Sequence, residues 1–210
     1  METIFVILIL LFSVVIHEVS HGYAALALGD HTAEYEGRLT LNPIRHLDPI
    51  GSFLIPLLGY LSGGIIIGWA KPVPFNPYNL NPKKWGLPAQ AGEAMVAIAG
   101  PLSNIIIAVI FAVIIRASLG ASFATEPFLF ITGYLVFINI ILAIFNLIPI
   151  PPLDGSKILF SILPGRLSHL RQNLERFGIV LVLIFVFVLW RFIAPFAAAV
   201  FTWLVGIPFS

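Results

Sequence analysis

The residues best suited to chemistry are His17-Glu18-Val19-Ser20-His21. Two histidines four apart on a helix project from one face, so both imidazoles can meet a single ion such as zinc. Glu18 is rotated by about 100° from His17. That places it beside a metal as a general base toward water, without being a ligand. The pattern is short, and two His and a Glu coincide by chance in many soluble helices. Its surroundings remove that objection. The motif lies within an apolar run from Thr3 to Leu28, and ionisable groups in a membrane helix face protein or water and mark function. The expected chemistry is metal-assisted hydrolysis.

Two histidines leave a catalytic metal one protein ligand short. The chain has no cysteine, so thiolate ligands and disulfides are both excluded. Asp154 follows the apolar run Ile148-Pro149-Ile150-Pro151-Pro152-Leu153 and precedes Gly155. Its carboxylate suits a third ligand, with a fourth position left for water. It equally suits the cap of a short helix from Gly155 to Leu163, and the two roles are compatible. His31 and His169 fall in polar loops and are expected to be solvated. His46, two residues before Asp48 where the chain dips back toward the membrane, is a weaker candidate for the site. Asn139 is expected to make an interhelical hydrogen bond. Glu93 suits the N-terminus of a helix, and Arg191 can snorkel.

The elements that position these residues are membrane helices. The chain is 59% hydrophobic and 10% charged, with mean hydropathy +1.02, against about 25% charged residues in soluble domains. Its 210 residues are expected to form one integral-membrane domain over 1–210, with a core at 3–160 and a C-terminal helical segment at 176–207. The expected class is an all-α polytopic membrane protein with about four to six transmembrane helices, a re-entrant segment and short membrane-associated strands. The first helix spans about Thr3 to Leu28, without a basic n-region before it, and is expected to be retained rather than cleaved. Met95–Ile115 and Phe128–Ile148 are uncharged and each about 32 Å long as helices, enough to cross. Residues 50–68 are broken by Pro56 and the glycines 59, 63 and 64, and read as a short helix in and a strand, Ile65-Ile66-Ile67, back out. Glu36–Leu41 alternates as a second short strand. The proline-rich loop from Trp69 to Gln90 forbids a regular helix and carries an interfacial belt of Trp69, Tyr78 and Trp85 with lysines.

Charge placement bears on that topology. If 50–68 re-enters, nine of the eleven basic residues lie on one side, leaving Arg116 and Arg191. Such an asymmetry marks the cytoplasmic face and puts the N-terminus outside.

Three motifs together resemble the site-2 protease family of intramembrane zinc metalloproteases, in its compact prokaryotic form. These are His17–His21 within a membrane helix, Gly100-Pro101-Leu102-Ser103-Asn104 in the next full span, and Asn146 through Pro149 to Leu153-Asp154-Gly155. The resemblance covers residues 3–160. It implies zinc held by His17, His21 and Asp154, water activated by Glu18, and Asn104 and Asn146 beside the site, holding substrate backbone or an oxyanion. The apolar insertion near 50–68 and the lack of a recognisable PDZ or CBS module depart from the family. The resemblance implies a multi-pass protein of a prokaryotic cell membrane, cleaving other membrane proteins within the lipid bilayer; no nucleic-acid partner is expected.

Cleavage in lipid needs substrate as an extended strand, because a helix hides its carbonyls in its own hydrogen bonds. Gly37–Leu41 and Ile65–Val73 offer edges for strand addition, and Ile65, Ile66 and Ile67 are the expected substrate clamp. Two other functions fit less well. A metal transporter using the same ligands has no role for Glu18, and an inactive substrate-binding relative would not need an intact His-Glu and Leu-Asp-Gly pair.

Overall fold

A computed structural model describes residues 2–54, 61, 70–119, 124–163 and 168–209. Six α-helices are described: α1 (Glu2–Ala27), the single turn α2 (Thr32–Tyr35), α3 (Ala91–Ser118), α4 (Glu126–Asn146), α5 (Asp154–Ile162) and α6 (Ser168–Val205). Helices α1, α3 and α4 are each long and apolar enough to cross a membrane. The other long element, α6, runs unbroken for 38 residues with Pro195 inside it, about 57 Å at 1.5 Å per residue.

Lipid supplies no hydrophobic drive between helices, so close packing of small residues does the work. On α3, Ala108 and Ala112 lie one turn apart and are buried with Ile115 against Val136 and Ile140 of α4 and Ala197, Phe201 and Val205 of α6. The opposite face of α3 leaves Ile98, Leu102, Ile106, Val109 and Val113 exposed, as a lipid-facing surface requires. Helix α3 is thus central, packed against α1, α4 and α5.

The strand expected at Glu36–Leu41 is not observed. Over 36–41 the chain instead closes α2: Gly37 adopts φ +63°, and the Arg38 N–H donates to Ala33 O at 2.9 Å. A left-handed glycine followed by a back-bonded amide is a helix C-terminus, not a strand. Arg38 is buried and Leu41 exposed, so the alternation does not track burial either. The only β-type pairing among the described residues is a single antiparallel bridge, Leu47 with Ala70. The Ile65–Ile67 strand and most of the re-entrant segment lie outside the described residues. The part described, Pro49–Leu54, is a wide π-type helical turn.

Asp30 ties the proline-rich loop to the end of α1. Fully buried, its carboxylate accepts from Thr32 N and Oγ1, Asn76 N and Asn79 Nδ2 at 2.6–3.2 Å. Burial disfavours its charged form, but these donors outweigh burial and hold its carboxyl below the usual range. The Asn81 N–H adds a bond to Leu28 O. Asp30→Ala is therefore expected to cost roughly 2–4 kcal/mol by orphaning several donors. Because the folded pKa is depressed, the charge's contribution is complete above the unfolded value of about 3.9 and fades as pH falls below it. Thermal unfolding in detergent should show a constant gap between wild type and Asp30→Asn from pH 5 to 8, shrinking below about pH 4. A gap unchanged at pH 3 would count against the charged form.

Candidate metal centre

His17 and His21 stand on the buried face of α1 together with Ser13 and Gly22, the i, i+4 spacing doing what a helix dictates. Asp154 arrives from the opposite side as the first residue of α5. That approach depends on Gly155, where a Cβ would collide with Leu147 O and Ile148 O at the end of α4. His17 Nε2, His21 Nε2 and Asp154 Oδ2 form a triangle with edges of 3.1, 3.1 and 3.2 Å. Three ligands of a tetrahedral zinc at about 2.0–2.1 Å sit about 3.3–3.4 Å apart. The triangle is that size within a few tenths of an ångström, and the three groups can hold a metal ion.

Proton placement reinforces the geometry. His21 Nδ1 lies 2.7 Å from Val96 O, and a carbonyl only accepts, so Nδ1 carries the hydrogen. His17 Nδ1 lies 2.6 Å from Asn104 Oδ1 and donates likewise. Both neutral rings therefore turn an Nε2 lone pair toward the Asp154 oxygen. A second proton on one ring relieves one contact of the triangle; a cation relieves all three. A metal-bound imidazole held by its other nitrogen is the usual arrangement of such sites.

Asp154 does not act as a helix cap. One oxygen meets the histidines and the other lies 3.4 Å from Lys157 Nζ. Burial opposes its charge, and the Lys157 ammonium favours it. Gly100 completes the enclosure. A Cβ there would sit 2.5–2.6 Å from both Nε2 atoms, so the space beside these nitrogens exists because this position of α3 has no side chain.

Glu18 is half-buried next to this triangle, and its Oε2 accepts from the Val73 N–H at 2.9 Å. The 71–73 stretch is itself held: Lys71 N donates to His46 O at 2.8 Å, and Arg38 donates to the Lys71 and Pro72 carbonyls. In the described part of the proposed Ile65–Val73 edge, the amides of Lys71 and Val73 and the carbonyls of Lys71 and Pro72 are thus engaged within the protein.

The other sequence candidates separate cleanly. Asn104 is beside the metal group, with its Nδ2 donating to Asn139 Oδ1 at 2.7 Å. Asn139 makes the interhelical bonds expected of it. Asn146 lies at the end of α4 and donates to Leu142 O. His46 is outside the metal-capable group; it is buried and its Nε2 donates to Thr40 O. His31 is exposed and pairs with Glu34, while the His169 side chain is outside the described residues. Arg191 is exposed and stacks over Phe192. Sequence reading missed Gly100 as a steric requirement, Lys157 as the partner of Asp154 and Val73 as the anchor of Glu18. Gly100, inside its motif, and Lys157, three residues after Asp154 at helical spacing, carried a signal.

The model of peptidase family M50 matches residues 5–189. The chain belongs to this family, the site-2 proteases. Among its relatives is YwhC of Bacillus subtilis, provisionally named a zinc metalloprotease, 37% identical over 198 residues, which cover 89% of this chain and 84% of YwhC. Rip2 of Mycolicibacterium smegmatis, named in the same provisional way, is 33% identical over 69% of this chain but only 52% of its own length. An archaeal relative, MJ0611 of Methanocaldococcus jannaschii, shares 33% identity over 103 residues. No solved structure matches. With this membership and the His17–His21–Asp154 group, zinc is the cofactor and the chain is a membrane metalloprotease of the M50 type.

Proposed function

We propose that this M50 protein is an intramembrane endopeptidase that hydrolyses peptide bonds within transmembrane segments of other membrane proteins. The observation that carries the reading is the buried triangle of His17, His21 and Asp154 beside Glu18, on a helix long and apolar enough to cross a membrane. His17 Nε2, His21 Nε2 and Asp154 Oδ2 would hold the ion. Zinc, when bound, polarises a carbonyl and lowers the pKa of water to about 7.

The chain's own residues do the rest. The Val73 N–H fixes Glu18 by Oε2, leaving Oε1 to take a proton from the attacking water and return it to the leaving amine. Lys157 engages Asp154 Oδ1, so that Oδ2 alone points into the triangle. The buried His rings, held at Nδ1, keep their lone pairs directed without reorganising. Substrate must arrive unwound, because a helical segment presents no free carbonyl.

The test uses purified protein in bilayers with a reporter transmembrane peptide. Chelation should abolish cleavage, about one equivalent of zinc should restore it, and mass spectrometry should map the cut inside the apolar segment. Cleavage confined to residues outside that segment, or persisting after verified zinc removal, would sink the proposal.

A further inference from the structure

We propose that the backbone carbonyl of Leu135 on α4 dictates which nitrogen of His17 is protonated, acting through the side chains of Asn139 and Asn104, which makes Asn139 a positioning residue of the metal centre. The inference rests on the reading of His17 as a zinc ligand. It goes beyond that reading by naming what fixes the ligand's tautomer.

The chain of contacts has one allowed polarity. A carbonyl oxygen only accepts, so Asn139 must turn its Nδ2 to Leu135 O, 2.8 Å away. The second hydrogen of that NH2 group reaches Ser13 Oγ at 2.9 Å. Asn139 is left facing Asn104 with Oδ1, which has no hydrogen. Only the Nδ2 of Asn104 can meet it, at 2.7 Å. The other end of the Asn104 amide is then its oxygen, 2.6 Å from His17 Nδ1. An oxygen there requires Nδ1–H, and a neutral ring protonated at Nδ1 offers its lone pair at Nε2. That is the nitrogen in the triangle with His21 and Asp154.

Burial makes the polarity binding. Ser13, His17, Asn104 and Asn139 are all 5% exposed or less, and both asparagines are at 0%. Turning any one amide around would set two donors or two acceptors face to face where little water reaches them. Ser13 cannot dictate the direction, because a hydroxyl both donates and accepts. The Leu135 carbonyl can. His21 needs no such relay, since Val96 O meets its Nδ1 directly. Each histidine tautomer is thus set by a main-chain carbonyl, at His21 in one step and at His17 through two amides that join α1, α3 and α4.

Asn139→Leu removes the signal while keeping bulk. Asn104 can then present either end to His17, and the competing tautomer places a hydrogen at Nε2. Zinc affinity, measured by chelator competition, is expected to fall 10–100-fold. The 15N shifts of the His17 ring, in metal-free protein with labelled histidine, should change from a single Nδ1–H form to a mixture. Asn139→Asp provides the rescue: as the protonated acid it donates its O–H to Leu135 O and keeps its carbonyl oxygen toward Asn104, so affinity and tautomer should stay near wild type. It also decides the matter if Asn139→Leu fails to fold. Wild-type affinity and an unchanged tautomer in Asn139→Leu would overturn the relay, as would an Asn139→Asp protein as defective as Asn139→Leu or with a mixed tautomer. If His17→Ala binds zinc as tightly as wild type, the ligand assignment is at fault instead, and that measurement separates the two failures.

Discussion

Glu18→Gln is expected to retain about one zinc per chain while hydrolysis falls about 10²–10⁴-fold, the range associated with a general base. Glutamine matches glutamate in shape, and its amide oxygen can still accept from the Val73 N–H. What it lacks is a site for the proton of the attacking water. The three groups that can hold the metal are His17, His21 and Asp154, so the substitution leaves them intact. His21→Ala or Asp154→Ala should behave differently, losing zinc together with activity. Metal analysis and reporter cleavage on the same preparations separate the roles. Zinc lost from Glu18→Gln, or Asp154→Ala binding zinc as tightly as wild type, would show the ligand assignment to be wrong.

The two histidines of the metal-capable group were legible in the sequence for a physical reason. Histidines at i and i+4 share a helix face whatever surrounds them, and polar residues in an apolar run need a role. Long uncharged stretches likewise fixed α3 and α4 to within a few residues. Where the reading failed, the local pattern had two outcomes that only tertiary contacts separate. Glu36–Leu41 alternates, but Gly37 terminates α2 and Arg38 turns inward to reach the carbonyls of Lys71 and Pro72. Asp154 could have been a cap or a ligand, and the neighbours that decide it, His17 and His21, are distant in sequence. The asparagine chain was visible only in part, as Asn139 expected to bond between helices and Asn104 expected beside the site. Its direction depends on Leu135 O, and no residue pattern reports a carbonyl.

The remaining prediction concerns the smallest residue at the site. Gly100→Ala is expected to lower zinc affinity about 10–100-fold and activity with it. The added methyl would lie 2.5 Å from His21 Nε2 and 2.6 Å from His17 Nε2, far inside van der Waals contact. Flexible neighbours could move aside, but these rings are held at Nδ1 by Val96 O and Asn104. Val96 and Asn104 belong to the same helix as Gly100, so displacing α3 to relieve the clash would pull both orienting bonds with it. Overpacking in such a place costs about 1–3 kcal/mol in stability, and it falls on the ligand geometry. Gly133→Ala on α4 is the control. Among the described residues its Cβ would find only Phe201 Cζ at 4.0 Å, and alanine favours a helix over glycine by about 1 kcal/mol, so zinc affinity should not change. Gly100→Ala with wild-type zinc affinity and more than half the wild-type rate would mean that the space beside the two Nε2 atoms is not required, and the steric account of this glycine would have to be abandoned.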